Sequence, residues 1–160
     1  MMRDLGCYPS ANSAFLLNLG LQTLPVRMER HSENAKKVAE YLNNSEKVEF
    51  VNYPALPGSE YYELYKKYLP KGCSGVISFS LKGTRETAVK FMDSLKLASN
   101  AVHVADIHTL VLHPASSTHR QLTDEQLVAA GITPGLIRLS VGLENVEDII
   151  ADLEQGLEKI

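Results

Sequence analysis

Apolar residues recur along this chain with two different periods, and the switches between them mark its elements. From Ser10 to about Asn44 the spacing is helical, with Pro25 interrupting it and Ala35, Val38, Ala39 and Leu42 forming one apolar stripe. The first half of that segment behaves differently. Phe15, Leu16, Leu17, Leu19, Leu21 and Leu24 spread over more than one face, which predicts a helix covered on several sides, by a partner or by more chain. Pro25 lacks the amide hydrogen that an unbroken helix would use, so a bend is expected near Leu24. Val48 to Tyr53 reads as a short strand, closed by the turn-rich Tyr53-Pro54-Ala55-Leu56-Pro57-Gly58. Ser59 then caps a helix with Tyr61, Leu64, Tyr65 and Tyr68 on one side, ending at Pro70.

Period two is clearest between Gly72 and Gly83, where Ile77, Phe79 and Leu81 face one way and Val76, Ser78 and Ser80 the other. Thr84 caps a helix carrying Ala88, Phe91, Met92 and Leu95, after which Leu97 to Asp106 follows no single period. Thr109-Leu110-Val111-Leu112 is a continuous apolar run and predicts a strand covered on both faces. Thr123 and Gln126 form a capping box, and Gly131 supplies a left-handed stop. From Leu136 to Val141 the alternation returns, with Ile137, Leu139 and Val141 opposite Leu136, Arg138 and Ser140. Asn145 starts an amphipathic helix through Val146, Ile149, Ile150, Leu153 and Leu157, expected to pack on a sheet. Loose alternation with short connections fits a small layered sheet with helices largely on one face. The periods do not separate parallel from antiparallel order. The best internal boundary lies near Asn44, between a helical arm over 1–44 and a compact remainder over 45–160.

Composition narrows the classes. With 160 residues, 44% hydrophobic and 22% charged, the chain reads as a soluble globular domain with enough material for a real core. Sixteen Lys and Arg stand against nineteen Asp and Glu, a net charge of −3, which leaves no footprint for nucleic acid. No apolar run approaches the ~20 residues of a membrane helix, and Met1-Met2-Arg3-Asp4 lacks the grammar of a secretion signal, so a cytoplasmic location is expected. Cys7 and Cys73 show no metal-ligand or paired spacing and read as free thiols.

The candidate for chemistry is Arg138, because the alternation sets a guanidinium in mid-strand between Ile137 and Leu139, where a charge needs an anionic partner. Its planar fork suits a ligand carboxylate. The competing reading is an ion pair with an acid of the same chain, or simply an exposed strand face. Of five histidines, His31, His103, His108, His113 and His119, the last four fall close together, but the spacings match no metal-binding pattern, and surface or loop positions are expected for all five. The loop from His113 to His119 is polar and small, yet no strained elbow holds Ser116 or Ser117 as a nucleophile. No glycine-rich phosphate loop occurs, and the tyrosine stripe reads as core and rim.

Three strings, LGLQTLPVRMERHSENAKKVAEYL, YPALPGSEYYELYKKYLPKG and HPASSTHRQLTDEQLVAAGITPGLIRLSVGLENVEDIIADLEQ, carry a resemblance that runs nearly end to end. Together they resemble the C-terminal part of the Cys/Met-metabolism enzymes that use pyridoxal phosphate, most closely the sulfhydrylase members. The resemblance implies an α/β (α+β) fold: a small, mostly antiparallel sheet with helices on one face, behind a long kinked helical arm. It further implies a truncated enzyme whose absent N-terminal domain binds pyridoxal phosphate, so no cofactor residue and no catalytic residue is expected here, and the fragment alone should be inactive. Lys71 and Lys82 lack the family's S-x-T-K context. By similarity, Arg138 matches the arginine for the substrate α-carboxylate, Thr118 a threonine that orients it, and His103-Val104-Ala105 the stretch lining that pocket. Relatives carry Asn-Val-Gly or Ser-Leu-Gly there, so Ala105 is where the backbone is expected to shift. The implied reaction is γ-replacement of acetate by sulfide or a thiol. The alternatives are a γ-eliminating lyase or a free-standing amino-acid-binding module. The implied partners are a small amino-acid substrate, the chain's own N-terminal domain and a homotetramer.

Overall fold

The computed structural model describes residues 4–160. Helix α1 (Ala11–Gln22) starts at Ser10, whose hydroxyl accepts the Ser13 amide, and buries none of its residues. Its leucines and Phe15 spread around the cylinder, so no single face can be turned to a core, and Phe15, Leu16, Leu17, Leu19 and Leu21 stay exposed. The helical run does break, at Thr23. Helix α2 (Leu24–Asn43) begins there with Pro25 in its first turn, where the missing amide costs nothing. From His31 onward α2 enters the core, burying Ala35, Val38, Ala39 and Leu42 as the stripe predicts.

Five strands follow: β1 (Val48–Asn52), β2 (Val76–Leu81), β3 (Ser99–Asn100), β4 (Leu110–Leu112) and β5 (Leu136–Ser140). They form one sheet in the order β1-β2-β5-β4-β3, antiparallel throughout except for the short β3–β4 pair. Ile77, Phe79, Ile137, Leu139 and Val111 point to one face and pack with α2, α4 (Arg85–Ser94) and α6 (Val146–Leu157). Phe79 and Phe91 meet edge to face at 6.1 Å. Helix α3 (Tyr62–Tyr68) buries none of its residues, so the tyrosines form rim more than core. All three residues of β4 are buried, as its unbroken apolar run predicts. Helix α5 (Asp124–Ala129) has the expected reciprocal cap between Thr123 and Gln126.

The segment that follows no single period is held by tertiary bonds. Asp152 on α6 accepts the backbone amides of Lys96, Leu97 and Ala98 at 2.8–3.0 Å, fixing the chain just before β3. A carboxylate bridging successive amides satisfies donors that no helix or strand would use. Two histidines expected at surface or loop positions are in fact core residues. His31 and His113 are 2% and 1% exposed. His113 accepts from the Ser116 hydroxyl and donates through Nε2 to the Pro134 carbonyl, which ties the loop after β4 to the turn before β5.

A candidate carboxylate site at the sheet face

Arg138 lies on β5, opposite Ser78 of β2 and Leu112 of β4, and its side chain leaves the sheet on the face away from the main core. It is half-buried. Its Nη2 donates to the backbone carbonyls of Val102 and His103 at 2.6 and 3.2 Å. Among the described residues no carboxylate lies within ion-pair distance of it. Among the described residues the competing ion pair is therefore not formed; Nη2 is spent on the loop, and Nε and Nη1 make no hydrogen bond to another described residue.

The loop over 101–108 is the second wall. Val102, His103, Val104 and Ala105 are all exposed. The Ala105 amide donates to the Ser140 hydroxyl at 3.0 Å, two positions along β5 from Arg138. Ala105 has φ 59°, in the left-handed region that glycine enters without strain. The departure expected at this position thus takes the form of an alanine held in a glycine-like conformation. Asp106 accepts both the amide and the ring Nδ1 of His108 at 2.9 and 3.0 Å, and these bonds hold its carboxyl below the usual range.

Of the residues matched by resemblance, the fold brings Arg138 and the His103 carbonyl together, while Val104 follows on the same loop without a hydrogen bond to Arg138. Thr118 belongs to the loop after β4, is exposed, and shares its hydrogen with His119 Nδ1 at 2.9 Å rather than with either of them. His103 and Val104 present exposed side chains beside the tethered carbonyl.

Sequence reasoning missed a set of residues behind this site. Glu144 accepts the Thr109 amide at 2.6 Å and the Thr109 hydroxyl at 2.9 Å, and that hydroxyl accepts the Gly142 amide at 3.0 Å. Asn34 donates to the carbonyls of Gly142 and Glu144 at 3.0 and 2.9 Å, and His31 Nδ1 donates to the Val141 carbonyl at 2.7 Å. The signal was available: His31 and Asn34 sit one turn before Ala35 and Val38, so they extend an apolar stripe with polar groups.

The described residues enclose no lysine amine that could hold pyridoxal phosphate as a Schiff base; every lysine is exposed on the surface. Nor do the described residues contain a cluster suited to a metal ion. No helix among them is long and apolar enough to cross a membrane.

The chain is 49% identical over 160 residues to O-acetyl-L-homoserine sulfhydrylase of Leptospira meyeri, covering 99% of this chain but 36% of that protein. It is 52% identical over 160 residues to L-methionine gamma-lyase of Fusobacterium nucleatum subsp. polymorphum, covering 99% of this chain and 40% of that one. The crystal structure of an O-acetylhomoserine (thiol)-lyase from Campylobacter jejuni superposes with a TM-score of 0.87 at 47% identity, over 98% of this chain and 37% of its own. That structure holds N'-pyridoxyl-lysine-5'-monophosphate. The chain thus spans about two-fifths of the length of these relatives. The Cys/Met metabolism PLP-dependent enzyme model matches residues 1–158, and the chain belongs to that family.

Proposed function

We propose that this chain is the substrate-carboxylate half of a pyridoxal-phosphate-dependent O-acetylhomoserine sulfhydrylase. The observation that carries the reading is Arg138: a half-buried guanidinium braced by two backbone carbonyls and without a carboxylate partner among the described residues. Its remaining donors bind the α-carboxylate of the amino-acid substrate, with His103 and Val104 lining the pocket and Thr118 completing its rim. The cofactor, bound by a complementary N-terminal domain, supplies the electron sink. What this chain contributes is orientation, holding the substrate by its acid end so that the γ-carbon meets the incoming thiol. Acetate leaves as sulfide or a thiol enters, giving homocysteine or a thioether such as methionine.

In this reading residues 1–44 are the arm that joins the two domains, and the exposed leucines of α1 pack on that domain or on neighbouring subunits of a cytoplasmic tetramer. The similarity to L-methionine gamma-lyase supports a second reading, γ-elimination, in which the products are ammonia, a keto acid and a thiol. The test is to supply the full-length protein with O-acetyl-L-homoserine and sulfide. Stoichiometric acetate and homocysteine support replacement, whereas ammonia with a keto acid overturns it in favour of elimination. The isolated chain mixed with pyridoxal phosphate is expected to show no lysine-linked absorbance and no product.

A further inference from the structure

Arg138 is aimed by a loop, and the loop is aimed by a carboxylate. Val102 and His103 brace the guanidinium, so its direction depends on where the 101–108 backbone sits. That backbone is attached to the end of β5 at three successive places: Ala105 to the Ser140 hydroxyl at 3.0 Å, the Ile107 carbonyl to the Leu143 amide at 2.8 Å, and Thr109 to Glu144. The last is the strongest, because an ionised acceptor takes both the amide and the hydroxyl of one fully buried threonine.

We propose that Glu144 is a positioning residue for substrate carboxylate binding, acting through Thr109 to hold the 101–108 loop against Arg138. Resting on the reading above, this explains a second feature. A Cβ on Gly142 would lie 2.2 Å from Glu144 Oε2, 2.5 Å from the His108 carbonyl carbon and 2.6 Å from the Ile107 oxygen, so only glycine lets carboxylate and loop close on the strand end. No basic side chain among the described residues pairs with Glu144; its interactions are with the loop's anchor threonine, while Asn34 holds its backbone. Loss of the carboxylate leaves a buried amide and hydroxyl unsatisfied and releases the loop, while the strand that bears Arg138 keeps its antiparallel partners.

The experiment uses the full-length holoenzyme with four variants: Glu144→Ala, Glu144→Gln, Thr109→Val and, as the reference for the site itself, Arg138→Ala. Displacement of a positioning group by about 1 Å changes rates by up to roughly a hundredfold. Glu144→Ala and Thr109→Val are therefore expected to raise KM for the amino-acid substrate about ten- to hundredfold with kcat altered less than about threefold. Glu144→Gln retains an oxygen for the Thr109 amide and should recover most of the loss. Hydrogen–deuterium exchange over 101–108, without substrate, should accelerate by at least about tenfold in Glu144→Ala and Thr109→Val and little in Glu144→Gln. Thr109→Val keeps the buried volume and decides the matter if Glu144→Ala does not fold. If Arg138→Ala raises KM while Glu144→Ala and Thr109→Val leave both KM and loop exchange unchanged, the positioning role is wrong and the carboxylate site stands. An unchanged KM in Arg138→Ala removes the carboxylate site itself, and the positioning role with it.

Discussion

Replacing Arg138 with alanine removes a cation that has no anionic partner among the described residues, so the cost should appear in substrate binding rather than in folding. Truncating one member of a desolvated charge pair costs about 2–5 kcal/mol, and half exposure of this side chain places it toward the lower part, about 2–4 kcal/mol. At 1.4 kcal/mol per factor of ten, KM for O-acetyl-L-homoserine should rise by roughly 30- to 700-fold. Arg138→Lys separates charge from aim. An ammonium keeps the positive charge but cannot reproduce a planar group that spans the Val102 and His103 carbonyls and an external anion together, so a KM between wild type and alanine is expected. Steady-state kinetics on the full-length enzyme measure both. The decisive control is the substrate's carboxamide, which has lost the charge that Arg138 recognises: wild type and Arg138→Ala should handle it about equally poorly. A KM unmoved by Arg138→Ala, or a penalty of the same size with the carboxamide, refutes the reasoning, since the loss would then lie in the loop and not in the ion pair.

Two further outcomes follow from local chemistry. Ala105→Gly relieves an alanine at φ 59°, and with the entropy of the more flexible unfolded chain set against it, stability should rise by up to about 1 kcal/mol; a lower denaturation midpoint would contradict the strain argument. His113 is pushed down from the ordinary imidazole value of 6.5 by burial, with Arg85 adding to the shift. The folded form therefore binds a proton less readily than the unfolded form. Stability from this group is complete above about pH 6.5 and is lost as the pH falls below it. Melting curves between pH 5 and 8 should show an acid-side loss that is reduced in His113→Gln, and an identical slope in both proteins would dismiss the assignment.

Much of the fold is legible along the chain wherever a pattern is local. The strands around Ile77–Leu81 and Leu136–Ser140 follow from alternation, because consecutive side chains on an extended backbone must point to opposite faces. Caps at Thr123 and Asn145 follow from side chains that reach their own helix amides. Arg138 is visible as a charge among apolar neighbours, and its match to the family motif adds the substrate carboxylate as its expected partner. The stretch from Leu97 to Asp106 resisted reading because its backbone donors are met by distant groups: Asp152 on the last helix and the Ser140 hydroxyl on β5. His31 and His113 were expected at surface or loop positions because the groups that hold them lie far away in sequence; their partners, Val141 and Pro134, are 110 and 21 positions away.

By itself, then, the order of residues determined most of the elements, the buried faces of α2, β2, β4, β5 and α6, and the family. Only the tertiary structure decided the antiparallel order of the sheet, the absence of an internal acid beside Arg138 among the described residues, and the tethering of its guanidinium to the 101–108 loop. The physical reason is range. Propensity, capping and periodicity act over one or two turns of chain, whereas a charge finds its partner, or is left for a ligand, only after strands far apart in sequence have been laid side by side.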